Sequence, residues 1–580
     1  MLEAMAKRGG AVHVVTTRRS YKGHVYTNHL LRRSYREGDK VKNETLGNLS
    51  HLPDAVVEMV RRALRGEVFA PVEERLEIVA SKMHGDAEAV LLAMRRLGFA
   101  ALLSSRPCRE AELVTAMVAA RIMAPHTKLA TTRWWHSRTL AEDLGVADAD
   151  EDDLYAAMDW LLERQDRIEK RLARRHLKSG GLVLYDLSSS YFEGKTCPLA
   201  RRGYSRDGKK GTLQVNYGLL TDRRGCPVAV SVHEGNTADP VTLMPEIERV
   251  KGKFGIDQLV IVGDRGMVSQ KAIDAIRTRD GIDWISALKT ASIRALVEEG
   301  QLQLDLFDER NLFDLSHPDY PGERLVACRN PQLAKLRAHK RGDLLSATEA
   351  HLAAIQDRVT AGRLKGADKI GLAVGKIVNK YKVAKHFDLD IGTAAFSFSR
   401  NAEKIASEAA LDGIYIIRTS LAAGRMDAAE CVRSYKSLTQ VERAFRTMKT
   451  VDLKVRPIHH RLETRVCAHI FLVMLAYYVE WHMREAWREL LFADEDQDAK
   501  AMRDPVAPAK RSAAAETKLS RRSLDDGSPV HSFTTLMAEL ATIVRNSCKV
   551  PGEDSATFAI TTTPNPLQRR ARELIDTISP

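Results

Sequence analysis

Gly181-Leu-Val-Leu-Tyr-Asp-Leu-Ser-Ser-Ser-Tyr-Phe-Glu193 is the stretch on which the fold reading turns. Leu182 to Tyr185 is a short apolar run that reads as a buried strand, and it runs straight into Asp186 and three serines. An ionised carboxylate at the end of a core strand is costly to bury unless its charge is compensated. A structural hydrogen bond would compensate it, and so would a metal ion. A second strand ends the same way, at Leu259-Val-Ile-Val-Gly-Asp264-Arg-Gly, and that repetition gives the metal reading weight.

Outward from Asp186, residues 181–290 continue as strand-like runs: TLQVNYGLLTD, PVAVSVHEGNTAD, QLVIVGDRGMVS and IDWISALK. Three meandering strands and a fourth after a helix over 240–254 resemble half of an α/β nuclease core. Residues 291–410 break that rhythm, with a long charged helix over 333–361 and strands expected at 369–384 and 393–398; they read as an insertion. A buried strand returns at 411–418, followed by helices over 422–448 and 469–491. Toward the amino terminus, residues 11–50 alternate and turn at Glu37-Gly-Asp-Lys40, which predicts a basic β-hairpin, then a helix over 54–65. Residues 75–178 carry helical periodicity, with helices over 87–97, 110–123 and 154–177. Trp134 reads as core packing within that module. The polar stretch 494–530 predicts a mobile linker, and residues 531–580 a helix, a strand and a terminal helix.

The chain has 580 residues, 44% of them hydrophobic, which predicts several folded units. Its 89 Lys+Arg against 76 Asp+Glu leave +13, with a pI near 9.3, so a polyanionic partner is expected. Residues 1–70 hold 13 cations and 7 acids, and Arg201, Arg202, Arg206, Lys209 and Lys210 crowd one loop downstream of Asp186. The seven cysteines are scattered and form no CxxC pair, which argues for reduced thiols in a cytoplasmic protein and against a zinc site. The amino terminus lacks the apolar core of a signal peptide, and no membrane association is expected.

Two strand-end carboxylates need a third partner if they hold divalent cations. Glu442 is the candidate, in Tyr435-Lys-Ser-Leu-Thr-Gln-Val-Glu-Arg-Ala-Phe-Arg-Thr-Met-Lys449. On one uninterrupted helix, Tyr435, Glu442, Arg446 and Lys449 would share a face. A lone helical glutamate is ordinarily a solvated residue; one flanked by Tyr, Arg and Lys is also placed to bind metal while its neighbours grip phosphates.

These motifs, with RGYSRDGKKGTLQVNYGLL, HEGNTADPVTL and RPIHHRLETRVCAHIFLVMLAYYVE (456–480), resemble those of DDE transposases of the IS4 superfamily, of the IS1634 type. The resemblance implies a multidomain α/β chain. Its RNase H-like catalytic core would lie at 181–290 and 411–493, interrupted by a largely β insertion at 291–410. It would be preceded by a basic β/α DNA-binding region (1–74) and a helical DNA-binding domain (75–180), and followed by the linker (494–530) and a carboxy-terminal region (531–580). The spacings of 78 and 178 residues between Asp186, Asp264 and Glu442 suit such a core. The family's Tyr-x2-Arg-x3-Glu-x6-Lys motif maps Tyr435, Glu442 and Lys449 in register, with Leu438 at its Arg position.

The resemblance also implies a reaction: metal-assisted cleavage at the ends of an insertion sequence, then attack of the freed 3′-hydroxyl on target DNA. Asp186, Asp264 and Glu442 would hold two Mg²⁺ ions, Mn²⁺ serving as a substitute. Tyr435, Arg443, Arg446, Lys449 and Arg265, with Arg201, Arg202, Arg206, Lys209 and Lys210, would contact DNA. The partners implied are double-stranded DNA, as transposon ends and target, and a second copy in a homodimeric synaptic complex at the bacterial nucleoid. In related enzymes an aromatic in the insertion stacks on a flipped base, which here would fall to Tyr381, Phe387, Phe396 or Phe398. Two rival readings are a degenerate copy that only binds DNA and a two-metal phosphohydrolase of small substrates.

Overall fold

The computed structural model describes residues 10–67, 76–300, 307, 311–498, 503–549 and 557–579. Of the amino-terminal stretch read for a signal peptide, residues 1–9 lie outside them. The chain forms two compact units, residues 1–81 with 546–560, and residues 82–545 with 561–580.

In the first unit, β1 (Ala11–Tyr21), β2 (His24–Glu37) and β3 (Lys40–Asn48) form an antiparallel sheet. The turn between β1 and β2 is Lys22-Gly23, both at positive φ, the backbone that matches the twist of a tight hairpin. Helix α1 (Asp54–Leu64) packs on β1. A strand β4 (Glu77–Met83) leads into the second unit.

The second unit begins with helices α2 (Gly85–Arg96), α3 (Phe99–Leu103), α4 (Arg109–Met123), α5 (Lys128–Trp134), α6 (Leu140–Asp143), α7 (Glu151–Leu162) and α8 (Gln165–His176). Residues 154–177, expected as one helix, are two. The Arg164 guanidinium donates to the Trp160 carbonyl at 2.9 Å and lies 4.0 Å from the Trp160 ring centre, which closes α7 before α8 starts. Trp135 is fully buried, whereas Trp134 is only partly so and carries Arg138 over its ring at 4.3 Å.

A nine-stranded mixed sheet follows. Its strands are β5 (Gly181–Tyr191), β6 (Arg201–Arg202), β7 (Leu213–Asp222), β8 (Pro227–Glu234), β9 (Leu259–Val262), β10 (Ile282–Ala287), β11 (Leu312–Leu315), β12 (Arg324–Arg329) and β15 (Ile414–Thr419). The order is β11-β12-β15-β10-β9-β5-β7-β6, with β8 also on β7. Only the β5–β9 and β9–β10 pairs are parallel; every other pair is antiparallel. The crossover from β8 to β9 is α9 (Asp239–Gly252), and α10 (Gln270–Arg277) connects β9 to β10. Gly218 of β7 sits beneath the Tyr185 ring of β5. A Cβ there would come within 2.2 Å of the Tyr185 hydroxyl, so this aromatic can be buried only against glycine.

Residues 291–410, expected to be largely β, are mostly helical. They hold α11 (Thr290–Glu298), α12 (Pro331–Thr360), α13 (Ala367–Tyr381) and α14 (Ala402–Ala409), with a hairpin of β13 (Phe387–Ile391) and β14 (Phe396–Arg400). The stretch 369–384 is β-branched enough to read as strand. Yet Ile370, Val374 and Val378 fall four residues apart, and that helical face packs on Leu345, Leu352, Ile355 and Val359 of α12 in a core of its own. Packing has overridden propensity. Phe387 and Phe396 are buried in that core. Strands β11 and β12 join the large sheet instead.

After β15 come α15 (Ala428–Lys436), α16 (Leu438–Arg446) and α17 (Glu463–Ala486). Among the described residues α17 alone is long and apolar enough to cross a membrane, but 94% of its most apolar window is buried in the core. The expected linker is not one throughout. Within 494–530, α18 (Ala513–Arg521) brings the Lys518 ammonium to the carbonyls of Glu489 and Leu491, each at 3.2 Å, and Val506 is buried. Polarity of composition hid this, because Lys518 is polar but serves as the donor those carbonyls need. Two helices, α19 (Phe533–Leu540) and α20 (Pro566–Asp576), close the unit; the Trp487 indole donates to Ala571 of α20 at 2.8 Å.

Candidate active site

Strands β5 and β9 are parallel neighbours, and their last paired residues are Leu184 and Val262. Asp186 and Asp264 each lie two positions further on, so the register sets the two carboxylates side by side. Strand β10 continues the pattern, with Ile285 opposite Val262. Ligand clefts of open parallel sheets form where such carboxyl ends meet.

Each aspartate spends one oxygen on the backbone. Asp186 Oδ1 accepts from Leu187 N at 2.8 Å, and Asp264 Oδ1 accepts from Met267 N at 2.7 Å and Gly266 N at 3.0 Å. Among the described residues neither Oδ2 has a hydrogen bond. The Asp186 carboxyl is pushed up to about 7, first by burial and further by the negative charge of Asp264; the Leu187 amide and the Arg206 guanidinium pull it the other way. Two adjacent carboxylates with free oxygens and too little positive charge between them suit a hard, oxygen-seeking divalent cation.

Helix α16 brings Glu442 to the same place. Its Phe445 ring meets Tyr217 of β7 edge-on at 5.7 Å, and Val441 and Ala444 are buried beneath it. The turn after β7 passes close below: a Cβ on Gly225, whose φ is +88°, would lie 2.7 Å from Gln440 Cβ. Glu442 is exposed and unpaired among the described residues. The Tyr435 phenol, held upward by burial, feels the negative charges of Asp264, Glu442 and Asp186 together, opposed by Arg265. All three carboxylates thus gather about Tyr435, although their oxygens do not all fall within 4.8 Å of one another.

The face expected to carry Tyr435, Glu442, Arg446 and Lys449 is not one face. A turn at Ser437 separates α15 from α16, and Thr447–Val451 is a π-turn. The wider turn rotates Lys449 inward. Lys449 is 8% exposed and its ammonium binds Asp207 Oδ1 at 3.1 Å; Arg456 pairs with the same oxygen, and Tyr191 N donates to Oδ2 at 3.0 Å. A phosphate grip by Lys449 is therefore replaced by an internal ion pair.

Other expected DNA contacts divide in two. Arg206 pairs with Asp239, Arg201 lies 3.7 Å from Glu234, and Lys209 sits over the Tyr191 ring at 3.5 Å. Arg202, Lys210, Arg265, Arg443 and Arg446 are exposed and, among the described residues, have no carboxylate partner. Two of the serines after Asp186 are tied into the fold: Ser190 bonds the Tyr217 hydroxyl at 2.9 Å and Ser189 accepts from Arg206 N at 3.1 Å. Lys289 was missed. It is exposed at the end of β10 and lines an open cleft with Asp264, Arg265, Gly266 and Thr290. The run IDWISALK held the signal, a third core strand ending in a charge, here a cation.

Residues 184–479, just over half of the chain, match the family described as "Transposase DDE domain". Residues 14–73 match "IS1634 family transposase, N-terminal domain". No curated protein matches the chain. Among solved structures, a cryo-EM structure of a piggyBac transposase synaptic complex with hairpin DNA aligns at 7% identity, covering 78% of this chain and 77% of that one, with a TM-score of 0.33.

Proposed function

Because this chain belongs to the DDE transposases, with an IS1634-type amino-terminal domain, we propose that it cleaves the ends of an insertion sequence and joins the freed 3′-hydroxyls to target DNA. The observation that carries this reading is the in-register placement of Asp186 and Asp264 at adjacent strand ends, with Glu442 on α16 in the same electrostatic neighbourhood. The sheet order β8-β7-β5-β9-β10 fits an RNase H-like core, with the helical excursion between β12 and β15 as its insertion.

Family membership implies a divalent metal; Asp186, Asp264 and Glu442 would hold two Mg²⁺ ions, with Mn²⁺ as substitute. Bound there, the ions would supply charge stabilisation at phosphorus and acidify the attacking hydroxyl. The protein's share is positioning. Arg265 and Lys289 flank the cleft and take phosphate oxygens, Arg443 and Arg446 extend that surface along α16, and Arg202 and Lys210 present two more cations. The Tyr435 hydroxyl, kept protonated, donates to a DNA oxygen. The first unit and the helical segment 75–180 would bind the terminal inverted repeats. Two ends require two copies, so a homodimeric synaptic complex on the nucleoid follows.

Asp186→Asn, Asp264→Asn and Glu442→Gln should each lower cleavage of end-DNA by about 1,000-fold or more, equivalent to about 4 kcal/mol in the barrier, while retaining binding in a gel-shift. Full cleavage by Asp186→Asn would sink the metal assignment. Binding without cleavage by the unaltered protein would support the degenerate-copy reading.

A further inference from the structure

A second cluster of donor atoms lies apart from the carboxylates. His176 ends α8, Cys226 stands in the turn just before β8, and His482 projects from α17. One donor atom from each lies within 4.8 Å of the other two, and Cys226 Sγ is 3.8 Å from His482 Nε2. A tetrahedral zinc ion with Zn–S about 2.3 Å and Zn–N about 2.0–2.1 Å holds S and N roughly 3.6 Å apart, so this pair is nearly set for it. The imidazole rings of His176 and His482 are 5.6 Å apart between centres.

Two of the three donors are shut away from solvent. Cys226 is fully buried and His482 is 7% exposed. The turn holding the thiol is fixed from outside: Asp222 Oδ1 accepts from Cys226 N at 2.9 Å and Arg224 N at 2.8 Å, and its Oδ2 accepts from Arg224 Nε at 3.0 Å. The Tyr478 hydroxyl, 3.1 Å from His176 Nε2, orients that ring. Second-layer bonds of this kind characterise metal sites.

We propose that His176, Cys226 and His482 bind one Zn²⁺ ion, with water in the fourth position. Binding replaces the thiol proton, which leaves to solvent as the S–Zn bond forms, with no change of oxidation state. The ion would tie α8, the β7–β8 turn and α17 together. The three residues are 50 and 256 positions apart, so no short spacing motif marks them. This inference is independent of the transposase reading, because thiolate and imidazole select zinc whereas the carboxylates select magnesium.

The test uses full-length protein stripped of metal and titrated with Co²⁺ as the zinc probe. One equivalent should produce a near-ultraviolet thiolate-to-cobalt absorption band, absent in Cys226→Ser and His482→Gln but intact in Asp186→Asn. X-ray absorption at the zinc edge of the unaltered, zinc-loaded protein should show one sulfur and two imidazole nitrogens, a measurement that needs no variant to fold. A cobalt band surviving in Cys226→Ser, or a zinc edge with only oxygen and nitrogen neighbours, would overturn the proposal.

Discussion

Asp207 holds two cations at once, Lys449 and Arg456, with its side chain 1% exposed. Removing that charge leaves a buried Lys449 and a partly buried Arg456 uncompensated. Asp207→Asn should therefore cost about 3–5 kcal/mol, read as a large drop in thermal midpoint. A loss confined to DNA cleavage, with unchanged stability, would return Lys449 to the phosphate-binding surface. At this scale the strand-end positions of Asp186 and Asp264 were legible because each is a charge that follows an apolar run. Lys449 was not, because a helical wheel assumes 3.6 residues per turn and cannot register a π-turn. Lys289 ends a strand as the aspartates do, but a search for metal ligands passes over a cation.

Helix α9 shows what burial does to an element's acids. The Arg249 guanidinium pairs with both Glu169 and Glu246, the latter at 3.3 Å, so two acids share one cation. Burial pushes the Glu246 carboxyl up to about 7 from 4.5, with Ser231 and Lys253 opposing the shift. The fold prefers its protonated form. The stability this contributes is complete below about 4.5 and is lost as pH rises through about 7. Glu246→Gln should flatten that slope and exceed the unaltered protein by about 1–3 kcal/mol at pH 8, measured as thermal midpoints from pH 5 to pH 8. Equal pH profiles would refute it. Element type was legible wherever period and length agreed, as in β5, β9, α12 and α17. It failed in α13, where β-branched residues imitate a strand and only contact with α12 decides, and across α7 and α8, where one arginine splits a continuous apolar pattern.

The whole chain carries +13, and several of its cations near the carboxylates lack acidic partners among the described residues. Binding to DNA should fall steeply with salt: with 6–10 phosphates neutralised, affinity drops about 10³–10⁵-fold between 50 and 200 mM. A flat salt response in a filter-binding titration would exclude a phosphate-led interface. That an IS1634-type amino-terminal region precedes the DDE domain was legible from the motifs. The order of strands in the sheet was not, because β15 pairs with β10 and β12 across a helical excursion that the sequence only shows as length. That placement bears on biosynthesis. Strand β15 begins 127 residues after β10 ends, so at ~5–20 residues per second a ribosome needs on the order of ten seconds to supply it. Throughout that interval the nascent chain exposes the free edges of β10 and then of β12, while α12 and α13 can already close their own core. Translation speed over residues 288–419 thus governs how long an open, aggregation-prone sheet waits for the strand that completes it.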